Sequence, residues 1–122
     1  MTIPYGKQFL DNEDISSVAK ALKNEKITTG KIVIKFENNI RNYIKCKFAA
    51  VCNSGTSAIF MALRAIGTKE NDIIIMPAIN FIASYNIARL FKAKIYLADT
   101  DKKTGQMSPS DVENCCKKFK LK

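Results

Sequence analysis

The sequence predicts an α/β fold in which a mainly parallel sheet is flanked by helices. From Phe48 onward, short apolar runs that suit strands alternate with stretches whose apolar residues recur at helical spacing. Strands separated by helices pair in parallel, because each crossover helix returns the chain to the same end of the sheet. The 122 residues are enough for one domain with a core of its own.

Two helices joined by a turn are predicted for residues 1–47. Asp11 can cap the first helix, which should end near Asn24 to Lys26. Thr28-Thr29-Gly30 is typical of a turn. Apolar residues at helical spacing then predict a second helix from Val33 to Lys45.

Three strands and three helices are predicted for residues 48–122, the α/β part of the chain. The middle strand is almost wholly apolar, which predicts burial on both of its faces. Gly67 is typical of the end of a helix, and Pro77 of the end of a strand. The predicted strands are Phe48–Cys52, Asp72–Met76 and Lys94–Ala98, and the helices are one that opens at Gly55 or Thr56, one over Phe81–Phe91 and one that starts at Pro109.

The net charge of +9 raises the question of nucleic acid binding. The lysines lie in the tail or are interleaved with acidic residues on predicted helix faces. Aromatic residues are not interleaved with them as a base-stacking platform requires. We therefore interpret the charge as a solvated surface that can attract an anionic substrate, and we expect no nucleic acid partner.

The absence of certain residue types and motifs excludes several kinds of chemistry. Histidine is absent, which excludes Ser-His and Cys-His nucleophile pairs and removes the commonest metal ligand. No apolar run reaches the length of a membrane span, and we expect no secretory signal, because the first residues show no basic flank followed by an apolar core. These features predict a cytoplasmic protein with no metal site and no membrane partner. The cysteines, expected as free thiols, are Cys46, Cys52, Cys115 and Cys116.

The stretch Asn53-Ser54-Gly55-Thr56-Ser57 joins the first predicted strand to a helix. A helix N-terminus presents unpaired backbone N–H groups and a partial positive charge, which suit a phosphate. Gly55 lets the backbone approach a ligand closely, and Thr56 and Ser57 can add hydroxyl donors. The pattern is not that of a dinucleotide or nucleoside triphosphate site. On spacing alone, the alternative that Ser54 or Thr56 merely caps the helix stays open.

Two further strand ends carry candidate residues. Phe81 follows the strand that ends at Pro77, near the edge where open α/β sheets collect ligands, and its ring could stack on a flat cofactor. A core position is the alternative for Phe81. Asp99 follows the last strand, and by itself it suits a turn as well as a ligand.

Together these motifs resemble those of the DegT/DnrJ/StrS family of nucleotide-sugar aminotransferases, which use pyridoxal 5′-phosphate. The resemblance runs from about Ile3 to Val112 and is to the N-terminal part of those enzymes. It implies the N-terminal part of the large domain of the aspartate aminotransferase-like fold. The order and spacing of six motifs carry it: IPYGKQFLDNEDISSVAKAL, TTGK, FENNIRNYI, AVCNSGTSAIFMAL, IIIMPAINFIASYNI and YLADTD.

The resemblance implies which residues hold the cofactor. Ser54, Gly55 and Thr56 match the segment that grips the cofactor phosphate. Phe81 matches the aromatic residue that stacks on the pyridine ring. The family usually has Thr before that aromatic residue, and Asn80 stands there in this chain.

The resemblance also implies a substrate and a reaction. Thr28, Thr29 and Gly30 match a turn at the mouth of the active site, where the nucleotide sugar enters. The implied reaction transfers an amino group, with glutamate as the donor, to a keto sugar on a nucleotide, for amino sugars of surface polysaccharides or glycans. Some relatives dehydrate sugars instead, and that choice stays open. Family members are homodimers whose active sites borrow residues across the interface.

The family's remaining chemistry has no counterpart in these residues. No lysine here matches the Schiff-base lysine, so we assign no catalytic residue. We expect the isolated chain to be inactive, to bind pyridoxal phosphate weakly or not at all, and to expose a sheet edge and apolar helix faces. Two alternatives remain: one half of a split enzyme that a complementing chain completes, and a non-catalytic module that binds a phosphate ligand or a protein.

Overall fold

The computed structural model describes residues 6–23 and 26–121, so residues 1–5, 24–25 and 122 lie outside the described part of the chain. The chain forms two compact units, Met1–Val51 and Cys52–Lys122. The division expected after residue 47 stays a prediction. Among the described residues, no helix is long and apolar enough to cross a membrane.

The first unit contains the helices α1 (Asn12–Leu22) and α2 (Lys31–Ile44). Asp11 caps α1 as predicted, because its Oδ1 accepts the backbone N–H groups of Glu13 and Asp14, both at 2.9 Å. The carboxylate of Asp14 accepts the N–H of Asp11 at 3.2 Å in return, which completes a capping box.

The ends of α1 and α2 differ slightly from the prediction. α1 ends at Leu22, just before the predicted end near Asn24 to Lys26, which lies partly outside the described residues. α2 begins two residues before the predicted Val33. The reason is that the carbonyl oxygen of Gly30 already accepts the N–H groups of Val33 and Ile34, which draws Lys31 and Ile32 into the first turn.

The second unit contains a parallel pair of strands and three helices, as the alternating pattern predicted. β1 and β2 pair from Ile73 with Lys94 to Pro77 with Ala98, and α4 makes the crossover between them. α3 packs on α4, while α4 and α5 both pack on β2. The elements of this unit are α3 (Gly55–Ala65), β1 (Ile73–Pro77), α4 (Ile82–Leu90), β2 (Lys94–Ala98) and α5 (Pro109–Phe119).

The predicted first strand, Phe48–Cys52, is wrong. None of its residues pairs in a β-ladder within the described chain. A strand exists through ladder hydrogen bonds to a neighbour, and the N–H of Val51 is instead donated to Oε1 of Glu37 at 3.0 Å. The apolar run therefore has no sheet partner among the described residues.

The prediction that the middle strand is buried on both faces is also wrong. Met76 is buried, but Ile73 is 45% exposed. The described sheet has two strands, so each of them has one unpaired edge and little cover. The buried residues of the described chain are small or flexible: Met76, Ala83, Ala88, Ala98 and Cys115.

Large apolar side chains on the helices remain exposed, as predicted. The apolar stripe of α1, formed by Ile15, Val18 and Leu22, is about 60% exposed (59%, 60% and 65%). In α2, Phe36 and Tyr43 are also exposed. In many proteins, exposed apolar faces of this kind are surfaces that another part of the protein or another subunit covers.

A capping box starts α5 at the predicted residue. Oγ of Ser108 accepts the N–H of Asp111 at 3.3 Å, and Oδ2 of Asp111 accepts the N–H of Ser108 at 2.8 Å. The hydrogen bond from the Ser108 side chain, with the smaller contribution of the Ser108 backbone, lowers the pKa of Asp111 below its ordinary value of 3.8. The capped helix therefore favours the ionised form of this carboxyl group.

Asp111→Asn tests this contribution through its pH dependence. Because the folded-state pKa is lowered, the stabilisation is fully present above pH 3.8 and is lost as the pH falls through the folded value. In urea unfolding followed by circular dichroism, we expect the variant to be less stable than the parent near neutral pH and equal to it in strong acid. Glu113→Gln, on the exposed face of the same helix, is the control, and a difference that persists in acid would contradict the assignment.

Candidate functional site

The polar turn identified in the sequence lies directly at the start of α3. Gly55 is the first residue of that helix, as predicted. Ser54 is the N-cap, with an extended backbone at φ −160° and ψ 158°. Gly67 follows the end of α3 with φ at 77°, a conformation in which glycine is favoured.

A closed set of hydrogen bonds orders the turn. Oγ of Ser54 accepts the N–H of Ser57 at 3.2 Å and donates to Oγ of Ser57 at 3.1 Å. Oγ of Ser57 donates in turn to Oδ1 of Asn53 at 2.8 Å. The expectation that Ser57 supplies a free hydroxyl donor is therefore not met in this arrangement, and Asn53 is a participant that spacing alone did not single out.

Among the described residues, Gly55 and Thr56 carry the donors of the turn that have no acceptor. Within the described residues, the backbone N–H groups of both have no acceptor, as is usual for the first two residues of a helix. The hydroxyl of Thr56 has no partner among those residues either. A Cβ placed on Gly55 would meet no atom within 4 Å, so the space beside the backbone is open to a ligand.

Phe81 is the N-cap residue of α4, directly before the first helical turn. Its side chain is 71% exposed, which excludes the alternative that it is a core residue of the described chain. The ring pairs of the described chain involve other aromatic residues: Phe60 with Phe91 at 5.4 Å and Tyr96 with Phe119 at 5.0 Å between centroids. The ring of Phe81 is therefore accessible to a flat ligand.

Thr28, Thr29 and Gly30 belong to the first unit, whereas the polar turn and Phe81 belong to the second. Gly30 is the N-cap residue of α2. A groove of about 730 Å³ lies here, with Thr29 and Gly30 in its wall. The charged residues of that wall are all lysines: Lys23, Lys26 and Lys31.

A second groove, of about 400 Å³, lies at the carboxyl ends of the two strands in the second unit. Ala78, Ala98 and Asp99 line its sheet side, and α5 lines the other. Sequence reasoning found Asp99 uninformative. The described residues contain no group of three or more His, Cys, Asp or Glu side chains that could hold a metal ion.

Comparison with known protein families shows which family the chain belongs to. Residues 8–120 match the DegT/DnrJ/EryC1/StrS aminotransferase family. The chain belongs to this family. The resemblance predicted from the six motifs is thereby confirmed, and the matched range includes both the polar turn and Phe81.

Curated relatives in the family act on nucleotide sugars according to their names. The chain is 39% identical over 111 residues to UDP-4-amino-4,6-dideoxy-N-acetyl-beta-L-altrosamine transaminase of Campylobacter jejuni, covering 91% of this chain and 29% of that protein. It is 33% identical over 112 residues to GDP-perosamine synthase of Escherichia coli O157:H7, covering 91% and 31%. The chain therefore spans about three tenths of the length of these relatives.

Solved structures confirm the fold class. The putative sugar aminotransferase Spr1654 of Streptococcus pneumoniae, in its PLP form, matches 94% of this chain and 29% of its own length with a TM-score of 0.82 and 24% identity. GDP-4-keto-6-deoxy-D-mannose-3-dehydratase of E. coli matches 93% and 31% with a TM-score of 0.83 and 19% identity. The chain thus has part of the α/β fold that these proteins share.

Ser54→Ala tests the role of the N-cap in α3. Loss of the Ser54 oxygen leaves the N–H of Ser57 without its acceptor, and we expect the free energy of unfolding to fall by about 1 kcal/mol. Urea unfolding followed by circular dichroism measures the change. Ser54→Asp, which keeps a capping oxygen, should restore most of the loss, and equal stability of Ser54→Ala and the parent would contradict the cap.

Proposed function

We propose that this chain is a portion of a pyridoxal phosphate-dependent aminotransferase that acts on a nucleotide-linked keto sugar. The support is its membership of the aminotransferase family and its similarity to enzymes named for UDP- and GDP-sugar products. In this proposal the complete enzyme takes the amino group from glutamate. Its product is an amino sugar for a surface polysaccharide or glycan.

The observation that carries the proposal is the set of free donors at the start of α3. Within the part of the chain that the structure describes, two backbone N–H groups and the Thr56 hydroxyl have no partner, and the space beside Gly55 is open. The partial positive charge of the helix N-terminus favours a phosphate there. We therefore assign Ser54, Gly55 and Thr56 to the cradle for the cofactor phosphate, with Ser54 setting the shape of the turn.

Phe81 is assigned to the face of the pyridine ring. Its exposed side chain follows the carboxyl end of β1, where ligands of parallel sheets bind. Stacking against a flat ring would cover apolar surface that the described chain leaves in water. The bound cofactor supplies an electron sink for the reaction, and these residues supply its binding and orientation.

The turn Thr28-Thr29-Gly30 is assigned to the nucleotide sugar. The lysines in its groove, Lys23, Lys26 and Lys31, attract anions, and a sugar nucleotide carries a diphosphate. This support is electrostatic, and it agrees with the role that the family resemblance implies.

A second copy or a complementing chain is the proposed protein partner. The exposed apolar stripe of α1 and the unpaired edges of the two-stranded sheet support it, since both are surfaces that proteins cover. The cysteines at positions 46, 52, 115 and 116 are free thiols, which supports the proposed cytoplasmic location.

Gly55→Val tests the phosphate cradle. The Cβ that valine adds meets no atom within 4 Å, so we expect the variant to fold, and the larger side chain should obstruct the approach of a phosphate to the N–H groups. Pyridoxamine 5′-phosphate is the probe, because it has no aldehyde that would react with surface lysines. We expect its affinity, measured by isothermal titration calorimetry, to fall at least about tenfold, a loss of about 1.4 kcal/mol.

Gly6→Val is the matched control for this test, because a Cβ on Gly6 also meets no atom within 4 Å. It should leave the affinity unchanged. Equal affinity of Gly55→Val and the parent would show that the phosphate binds elsewhere.

Phe81→Leu tests the stacking contact. Because the side chain is exposed, we expect the free energy of unfolding to change by less than about 0.5 kcal/mol. Loss of the aromatic ring should weaken pyridoxamine phosphate binding about threefold to tenfold. Phe9→Leu, at a phenylalanine that is 86% exposed, is the control, and equal affinities of the two variants would contradict the assignment.

A further inference from the structure

We propose that the outer edge of β1, the edge that faces away from β2, pairs with the same edge of a second copy of this chain. The two β1 strands run antiparallel and are centred on Ile74, so the assembly has a four-stranded sheet with both β1 strands in the middle. The inference rests on the proposed function only in taking a second copy as the protein partner. It adds the surface and the register through which that copy binds.

The pairing of β1 with β2 determines which backbone groups of β1 face outward. The N–H of Lys94 donates to the carbonyl oxygen of Asp72 at 2.8 Å, in the parallel register that pairs Lys94 with Ile73. Because successive residues direct their backbone groups to opposite edges of a strand, those of Ile73 and Ile75 point away from β2. Within the described residues, no backbone hydrogen bond outside the ladder reaches either residue.

The outer edge of β2 differs, because α5 lies beside it. By the same alternation the carbonyl group of Leu97 faces outward, and the thiol of Cys115 donates to its oxygen at 3.8 Å. The rings of Tyr96 and Phe119 lie 5.0 Å apart, which holds the end of α5 against the strand. β2 also begins with Lys94, a residue type that protects open edges. In the described part of the chain, the open edge of the sheet is therefore that of β1.

The charges around β1 permit a second copy to occupy this edge. The strand, Ile73–Pro77, carries no charged residue. In the antiparallel arrangement, Glu70 and Asp72 of one copy come opposite uncharged residues of the other, so like charges do not face each other. The isoleucines of the two strands lie side by side, and β-branched residues pair favourably across strands.

Pro77 selects the register. It has no N–H, so a register that places it opposite Ile73 leaves the carbonyl group of Ile73 without a donor. A register centred on Ile74 places Ile73 opposite Ile75 of the second copy, and each such pair exchanges two hydrogen bonds. The two Ile74 residues then form a pair that is not hydrogen-bonded, with their Cα atoms about 4.5 Å apart.

The size of the contact indicates a weak dimer. A stable interface buries about 800 Å² on each partner, and this one involves a strand of five residues in each copy. We therefore expect a reversible dimer that dissociates on dilution, with the two-fold symmetry of most homodimers.

Ile75→Pro tests the edge in the full 122-residue chain. Sedimentation velocity from low micromolar to near-millimolar concentration should show the parent passing from monomer to dimer. The variant removes an N–H that the ladder with β2 does not use, and we expect dimerisation to weaken at least about tenfold. Ile95→Pro, which removes an outward N–H from the covered edge of β2, is the matched control and should leave the dimer affinity unchanged.

Ile73→Lys tests the same edge without a proline. Ile73 is 45% exposed, so the lysine should be tolerated in the monomer, but it places a charge on the pairing edge and should also weaken the dimer at least about tenfold. Leu97→Lys, at a residue of β2 that is 52% exposed, is the control. Circular dichroism should show the same helix content in the variants and the parent.

Ile74→Cys tests the register. The exposed Cys46 and Cys52 are first replaced by serine, and the chain is oxidised with diamide and run on a non-reducing gel. Facing Cα atoms about 4.5 Å apart suit a disulfide, so we expect a cross-linked dimer. Ile73→Cys in the same background is the control and should cross-link far less, because the two copies of residue 73 are offset along the strands.

A parent chain that remains monomeric at every concentration would overturn the inference. A dimer that weakens equally in the β1 and β2 variants, or that cross-links equally at residues 73 and 74, would also overturn it, since the copies would then meet through another surface. The phosphate site is measured separately with pyridoxamine 5′-phosphate. Absence of its binding in a chain that dimerises as expected would count against the proposed function alone.

Discussion

The account depends on how the first turn of α3 satisfies its backbone donors. A helix begins with N–H groups that have no partner inside the helix, and these must be paired by side chains, water or a ligand. Here Ser54 accepts the N–H of Ser57, while the N–H groups of Gly55 and Thr56 have no acceptor among the described residues. The turn therefore caps the helix and still presents donors to an anion. The two roles that the sequence left open, a helix cap and a phosphate site, are thus compatible with one conformation.

The turn and Phe81 belong to the second unit, which has a two-stranded sheet, three helices and a small core. β1 and β2 are joined through α4, and the fully covered residues are mainly alanines, such as Ala88 and Ala98. A two-stranded sheet with so small a core gains little from apolar burial. Stability therefore depends more than usual on local features such as the capping box formed by Ser108 and Asp111.

Local signals in the sequence predicted most of the fold, and the errors concern contacts with distant partners. The Asp11 cap, the start of α3 at Gly55 and the parallel pairing of the two strands follow from caps, periodicity and alternation. The strand at Phe48–Cys52 failed because an apolar run does not specify which edge it pairs with. At the site, spacing located the turn, but which of its side chains pair with one another depends on the three-dimensional conformation of the turn, which no short motif encodes.

The most direct test of the account is a titration of the uniformly ¹⁵N-labelled chain with pyridoxamine 5′-phosphate, followed through its backbone amide resonances. If the unpaired donors at the start of α3 hold the phosphate, the largest and saturable shifts will be those of the Gly55 and Thr56 amides. Largest shifts in the lysine-lined groove beside Gly30, or at the basic end of α5, would contradict the account, because the anion would then bind to surface charge.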